Sequence, residues 1–72
     1  MAQAVNKSEA YRGFAIGWQE PPQTTAAWTA NVGSEDRRLN AMMGIHGAKI
    51  IDGRTRDEMI ANAKEYIDSL LS

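Results

Sequence analysis

The sequence predicts an α+β fold of two layers: a three-stranded antiparallel sheet with a carboxy-terminal helix packed on one face, in the order strand, strand, short helix or loop, strand, helix. Three observations carry this. Residues 12–18 and 26–32 alternate in apolar size, the period-two pattern of a half-buried strand. Residues 56–71 repeat apolar side chains at helical spacing behind a capping signal. With 72 residues, 43% hydrophobic and 24% charged, the chain has the balance of one small globular domain, expected over residues 10–72. A domain near this size buries only ~60% of its unfolded surface, so the core is expected to be thin.

Residues 1–9 are small, polar and aperiodic, and read as a flexible tail. From Arg12 to Trp18, Phe14, Ile16 and Trp18 fall on one side of a strand, with Gly13, Ala15 and Gly17 on the other. Gln19 to Thr25 carries Pro21-Pro22, which interrupts hydrogen-bonded structure and reads as a hairpin loop. The second alternating run places Ala26, Trp28, Ala30 and Val32 on one face, and Ala27, Thr29 and Asn31 on the other. Paired antiparallel, the two runs gather Phe14, Trp18 and Trp28 on a single side. The opposite side is left with glycine, alanine, threonine and asparagine.

Ser34 is a candidate cap for a short helix running to Met43, with Glu35 and Asp36 in its first turn and Gly44 as its stop. Leu39, Met42 and Met43 would then face inward; an extended loop with one helical turn is the alternative. Ala48 to Asp52 reads as a third strand in which only one of Ile50 and Ile51 faces the core. Asp52-Gly53 supplies a turn, with the glycine free to take positive φ. Thr55 and Glu58 have capping-box spacing. Behind them Met59, Ile60, Ala63, Tyr66, Ile67, Leu70 and Leu71 form one apolar stripe, leaving Asp57, Lys64, Glu65 and Asp68 in water.

The pattern Asp52-Gly53-x-Thr55-x-Asp57-Glu58-x-x-x-Asn62-Ala63-x-x-x-Ile67 resembles the last strand-to-helix segment of antitoxin domains from HicB-type toxin–antitoxin pairs. The resemblance implies a partial ribonuclease-H-like fold, three strands with one long helix, and a role in binding a small protein partner. It is confined mainly to residues 52–67. Ser34 to Gly47 replaces the proline-and-glycine segment usual in that family, and Met59 stands where alanine is usual.

The chemistry-bearing residues are sparse. His46, the one histidine, lies between Gly44 and Gly47 and reads as a loop histidine, since base catalysis needs an orienting partner and a cleft. Without cysteine, thiolate catalysis and cysteine-ligated zinc are excluded. Asp52, Asp57 and Glu58 lack the ligand ladder of a calcium loop, and Arg54 and Arg56 flank them. Catalytic, metal and cofactor assignments are therefore none, and the protein is expected not to be an enzyme. Trp18 and Trp28 share a face with Phe14, Ile16 and Val32, which favours core positions over base-stacking platforms.

Net charge is −1, which argues against general nucleic-acid binding. Charge is nevertheless uneven. Arg37, Arg38, Lys49, Arg54 and Arg56 face only Asp52 between positions 37 and 56, and these five are the candidate partner-binding residues. No apolar run approaches the ~20 residues of a membrane span, and the amino end has no apolar signal segment, so a cytoplasmic location with no membrane partner is expected. The expected function is a small non-enzymatic protein-interaction module, antitoxin-like as the resemblance implies, whose partner is another protein or a second copy of the chain. A nucleic-acid contact through the five basic residues is the alternative.

Overall fold

The computed structural model describes residues 4–22, 27–44 and 49–72. It is α+β, but the open antiparallel sheet has four strands: β1 (Val5–Tyr11), β2 (Phe14–Glu20), β3 (Trp28–Gly33) and β4 (Lys49–Gly53), hydrogen-bonded in that order. A short helix α1 (Arg37–Met42) joins β3 to β4, and the long helix α2 (Arg56–Leu71) follows. The additional strand lies in the segment expected to be a tail. From Val5 onward the chain pairs with β2 along its whole length, Val5 opposite Glu20 and Tyr11 opposite Phe14. Hydrophobic alternation is muted in β1 because it lies at the sheet edge, where Lys7 and Glu9 occupy positions that are apolar in β2.

Arg12 and Gly13 do not belong to a strand. Both take positive φ, +51° and +88°, the signature of a two-residue type I′ turn whose twist matches that of the strands it joins. The hairpin expected across Pro21-Pro22 does join β2 to β3, with residues 23–26 outside the described segments.

The core is the inner face of the sheet closed by α2. Phe14, Ile16, Ala30, Val32, Met59, Ala63 and Ile67 are each at most 1% exposed. Met59, Ala63 and Ile67 stand four residues apart and form the central line of the helical stripe. Each large side chain so buried contributes about 1.5–3 kcal/mol. Trp18, Trp28, Ile51, Ile60, Tyr66 and Leu70 pack around this centre. Register resolves the pair at positions 50 and 51: Ile51 lies opposite buried Ala30 and joins the core, while Ile50 lies opposite Asn31 and is 63% exposed.

Two local expectations are corrected. Asp36, not Ser34, caps α1, accepting from the Arg38 amide at 2.8 Å. Ser34 instead donates its hydroxyl to the Gly13 carbonyl at 2.8 Å, and its backbone exchanges hydrogen bonds with the Asn40 side chain. Those bonds fix the helix against the first turn and leave Met42 exposed, with Leu39 and Met43 packed on the core. Gly44 stops the helix at φ +98°.

Gly53 also differs from expectation. It is the last residue of β4, is buried, and has no positive φ. What it provides is space: a Cβ there would stand 2.6 Å from Met59 Cα and 2.9 Å from the Glu58 carbonyl carbon. The first turn of α2 therefore crosses directly over the strand end. Thr55 caps the helix, accepting from the Glu58 amide at 3.1 Å, while Glu58 reaches back one residue further than a capping box requires, to the Arg54 amide at 3.3 Å. Asn62, one turn beyond Glu58, donates to the Asp52 carbonyl at 2.9 Å and fastens the helix to β4.

Candidate interaction surface

Because side chains alternate along each strand, the residues that build the core also define the opposite face of the sheet. That outer face carries Asn6, Ser8 and Ala10 from β1, and Ala15, Gly17 and Gln19 from β2. β3 adds Thr29, Asn31 and Gly33, and β4 adds Ile50 and Asp52. Asp52, at the β4 edge, is its one ionisable side chain among the described residues. A shallow hollow of about 490 Å³ lies here, bordered by Lys7, Trp18, Pro22, Gly17 and Ala27 together with Asn6, Gln19, Thr29 and Asn31. The last four offer amide and hydroxyl groups that both donate and accept. Small residues let another backbone approach closely, and the polar ones provide hydrogen bonds without the desolvation cost of a charge.

The five basic residues do not form one patch. Lys49 lies opposite Val32, whereas Gly53, just before Arg54, lies opposite Trp28 at the other end of β4. Four strand steps separate those ends by about 13 Å. Arg37 and Arg38 open α1, beyond the Gly33 end of β3, and so lie toward the Lys49 end. Arg54 and Arg56 lie at the opposite end. Arg56 is already engaged, 3.2 Å from Glu20 and 3.9 Å from Asp57.

Two polar clusters tie the sheet to α2 where the sequence suggested plain solvated surface. At one, Tyr11 donates to Asp68 at 2.9 Å, Arg12 pairs with the same carboxylate at 2.8 Å, and Lys64 meets Glu9 at 2.7 Å with its ammonium 5.4 Å from the centre of the Tyr11 ring. The Arg12 and Tyr11 donors hold the Asp68 carboxyl below its usual range. Donating that bond to the Asp68 carboxylate pushes the Tyr11 pKa up, and the hydrogen bond to Glu9 favours the charged form of Lys64 and pushes its pKa up as well. At the other, Trp18 donates to Glu20 at 2.9 Å, and that bond, with the one from Arg56, lowers the Glu20 pKa.

These clusters were not legible beforehand. Asp68 and Tyr11 are 57 positions apart, and β1 offers no periodic signal to announce a partner for the flank of α2. The Asp68 carboxylate accepts from two donors, Tyr11 and Arg12, and its side chain is half exposed. Among the described residues no group of three or more histidine or carboxylate side chains is placed to hold a metal ion. His46 lies outside the described residues. No described helix is long and apolar enough to cross a membrane.

Comparison with known protein families, curated proteins and solved structures finds no match for this chain.

Proposed function

We propose that this protein is a small non-enzymatic protein-interaction module, and that its outer sheet face receives an uncharged, extended segment of a partner protein. The observation that carries the reading is the composition of that face. Its outward positions across β1, β2 and β3 are glycine, alanine, serine, threonine, asparagine and glutamine, none of which carries a charge to be desolvated; Lys7, whose register sets it with Trp18 on the inner face, is the one charged residue that borders the hollow. A partner backbone approaching such a surface meets little steric obstruction and a set of amide and hydroxyl partners. The HicB-like pattern over residues 52–67 supports the same class of function and narrows it to neutralisation of a small toxin-like protein.

The separation of Arg37, Arg38 and Lys49 from Arg54 and Arg56 weakens the nucleic-acid alternative, since phosphate tracking needs cations that converge. The test is affinity capture with the wild type and two charge variants, Thr29→Arg on the outer face and Arg37→Glu/Arg38→Glu on α1. The expected result is a partner lost with Thr29→Arg and retained by the double variant, in folded proteins. A partner lost only with the double variant, or salt-dependent binding of RNA or DNA that titrates those arginines, would overturn the proposal.

A further inference from the structure

We propose that the protein forms a two-fold symmetric dimer by pairing β1 with β1 of a second copy, joining two four-stranded sheets into one of eight strands. β1 is the terminal strand of the sheet, and its far edge has no strand partner among the described residues. The turn at Arg12-Gly13 sets the direction of the groups along that edge. A two-residue turn is closed by a bond between its flanking residues, so Tyr11 and Phe14 form a hydrogen-bonded pair. Such pairs alternate with non-bonded ones, which points the backbone N–H and C=O groups of Asn6, Ser8 and Ala10 away from β2, into open solvent.

The side chains of β1 choose the occupant of that edge. Reading Val5-Asn6-Lys7-Ser8-Glu9-Ala10-Tyr11 against itself in the antiparallel sense, a two-fold axis at Ser8 sets Lys7 opposite the partner's Glu9 and Glu9 opposite the partner's Lys7. The same axis sets Val5 opposite the partner's Tyr11, covering a valine that is 54% exposed in the isolated chain. The Lys7–Glu9 positions fall in non-hydrogen-bonded pairs, where opposed side chains come closest. Glu9 would then be shared between Lys64 of its own chain and Lys7 of the partner's chain.

Competing arrangements are poorer. Moving the axis to Lys7 or Glu9 sets like charges face to face, and a one-residue slip sends side chains to the wrong face of the joined sheet. The free edge of β4, paired on itself about Ile51, would oppose Ile50 with Asp52. Charges on an edge strand ordinarily discourage pairing; on β1 their order makes the edge complementary to its own copy. The axis is perpendicular to the sheet, so both α2 helices lie on one side and the two outer faces become continuous. The dimer does not depend on the outer-face reading, because it engages the backbone edge of β1 and the inner-face side chains of Lys7 and Glu9, whereas that reading rests on outward side chains; the failure of either leaves the other standing.

The test is sedimentation equilibrium of the full chain as wild type, Lys7→Glu, Glu9→Lys, and an equimolar mixture of the two variants. The wild type is expected to dimerise. Each variant alone sets like charges opposite each other twice, weakening association by about tenfold or more. In the mixture one chain presents two acids and the other two lysines, so heterodimers should form with the affinity restored. Amides of Asn6, Ser8 and Ala10 should also gain exchange protection as wild-type concentration rises. A wild type that remains monomeric, a dimer indifferent to Lys7→Glu, or a mixture of folded variants that fails to associate would overturn the proposal. Lys7 has no ion pair within the described chain, so loss of fold in Glu9→Lys alone leaves the Lys7→Glu result decisive.

Discussion

Gly53→Ala should be among the most damaging single-methyl changes available in this protein. The added Cβ would sit 2.6 Å from Met59 Cα and 2.9 Å from the Glu58 carbonyl carbon. Both are backbone atoms of the first turn of α2, so no side chain can rotate away to relieve the contact. The helix would have to lift by about 1 Å to restore ordinary separations, in an interior where density is crystal-like. Overpacking of this kind costs about 1–3 kcal/mol. Lifting the helix also strains the Asn62 bond to the Asp52 carbonyl, worth about 0.5–1.5 kcal/mol. A total of about 1.5–4.5 kcal/mol is a large part of the stability of so small a domain, and corresponds to a fall in melting temperature of roughly 6–36 °C.

Two other glycines serve as controls. Gly44 has φ +98° but open space around it, so its alanine variant should lose only about 1 kcal/mol, from backbone strain. Gly17 has ordinary φ and its nearest neighbour at 3.8 Å, so alanine there should be neutral or stabilising by up to about 1 kcal/mol. Urea unfolding followed by the fluorescence of Trp18 and Trp28, which pack on the core, measures all three. The reasoning would be refuted by Gly53→Ala unfolding within about 0.5 kcal/mol of wild type, or by the three variants losing similar amounts.

Ile67→Ala should cost about 2–5 kcal/mol, because its side chain is fully buried under the sheet, whereas Ile50→Ala on the open face should stay within about 0.5 kcal/mol; the same urea titrations compare them. Thr55→Ala removes the acceptor for the Glu58 amide and should destabilise by about 0.5–2 kcal/mol, read as a lower thermal midpoint by circular dichroism. Acid should erode stability through Asp68 and Glu20. Both have folded-state pKa values below their ordinary ones, so their contribution is present above the unfolded values and disappears as pH falls through the folded ones. Alkali should act through Lys64 and Tyr11, whose raised values give a contribution complete below the unfolded pKa and lost as pH rises through the folded one. Urea midpoints across pH check both limbs, and Asp68→Asn should flatten the acid one; an unchanged acid limb would show that Asp68 contributes nothing to it.

The elements of this protein whose signals are local could be read from its residues alone. Alternation at Phe14, Ile16 and Trp18 and at Trp28, Ala30 and Val32 specifies two strands and their inner face, and the recurrence of Met59, Ala63 and Ile67 specifies the helical stripe that covers them. The small and polar outer face of β2 and β3 at Ala15, Gly17, Thr29 and Asn31 followed from the same alternation, whereas its β1 and β4 positions did not. The remaining features depend on neighbours far away in the chain. β1 is a strand because β2 offers it a ladder, not because Val5 to Glu9 has a pattern of its own. Gly53 is required by a helix backbone passing over it, which no reading of a turn reveals. Sheet register set Ile51 inward and Ile50 outward, and it separated Lys49 from Arg54 and Arg56. Hydrophobic period is written residue by residue, whereas edge pairing, close backbone approach and the meeting of charges are properties of two segments at once.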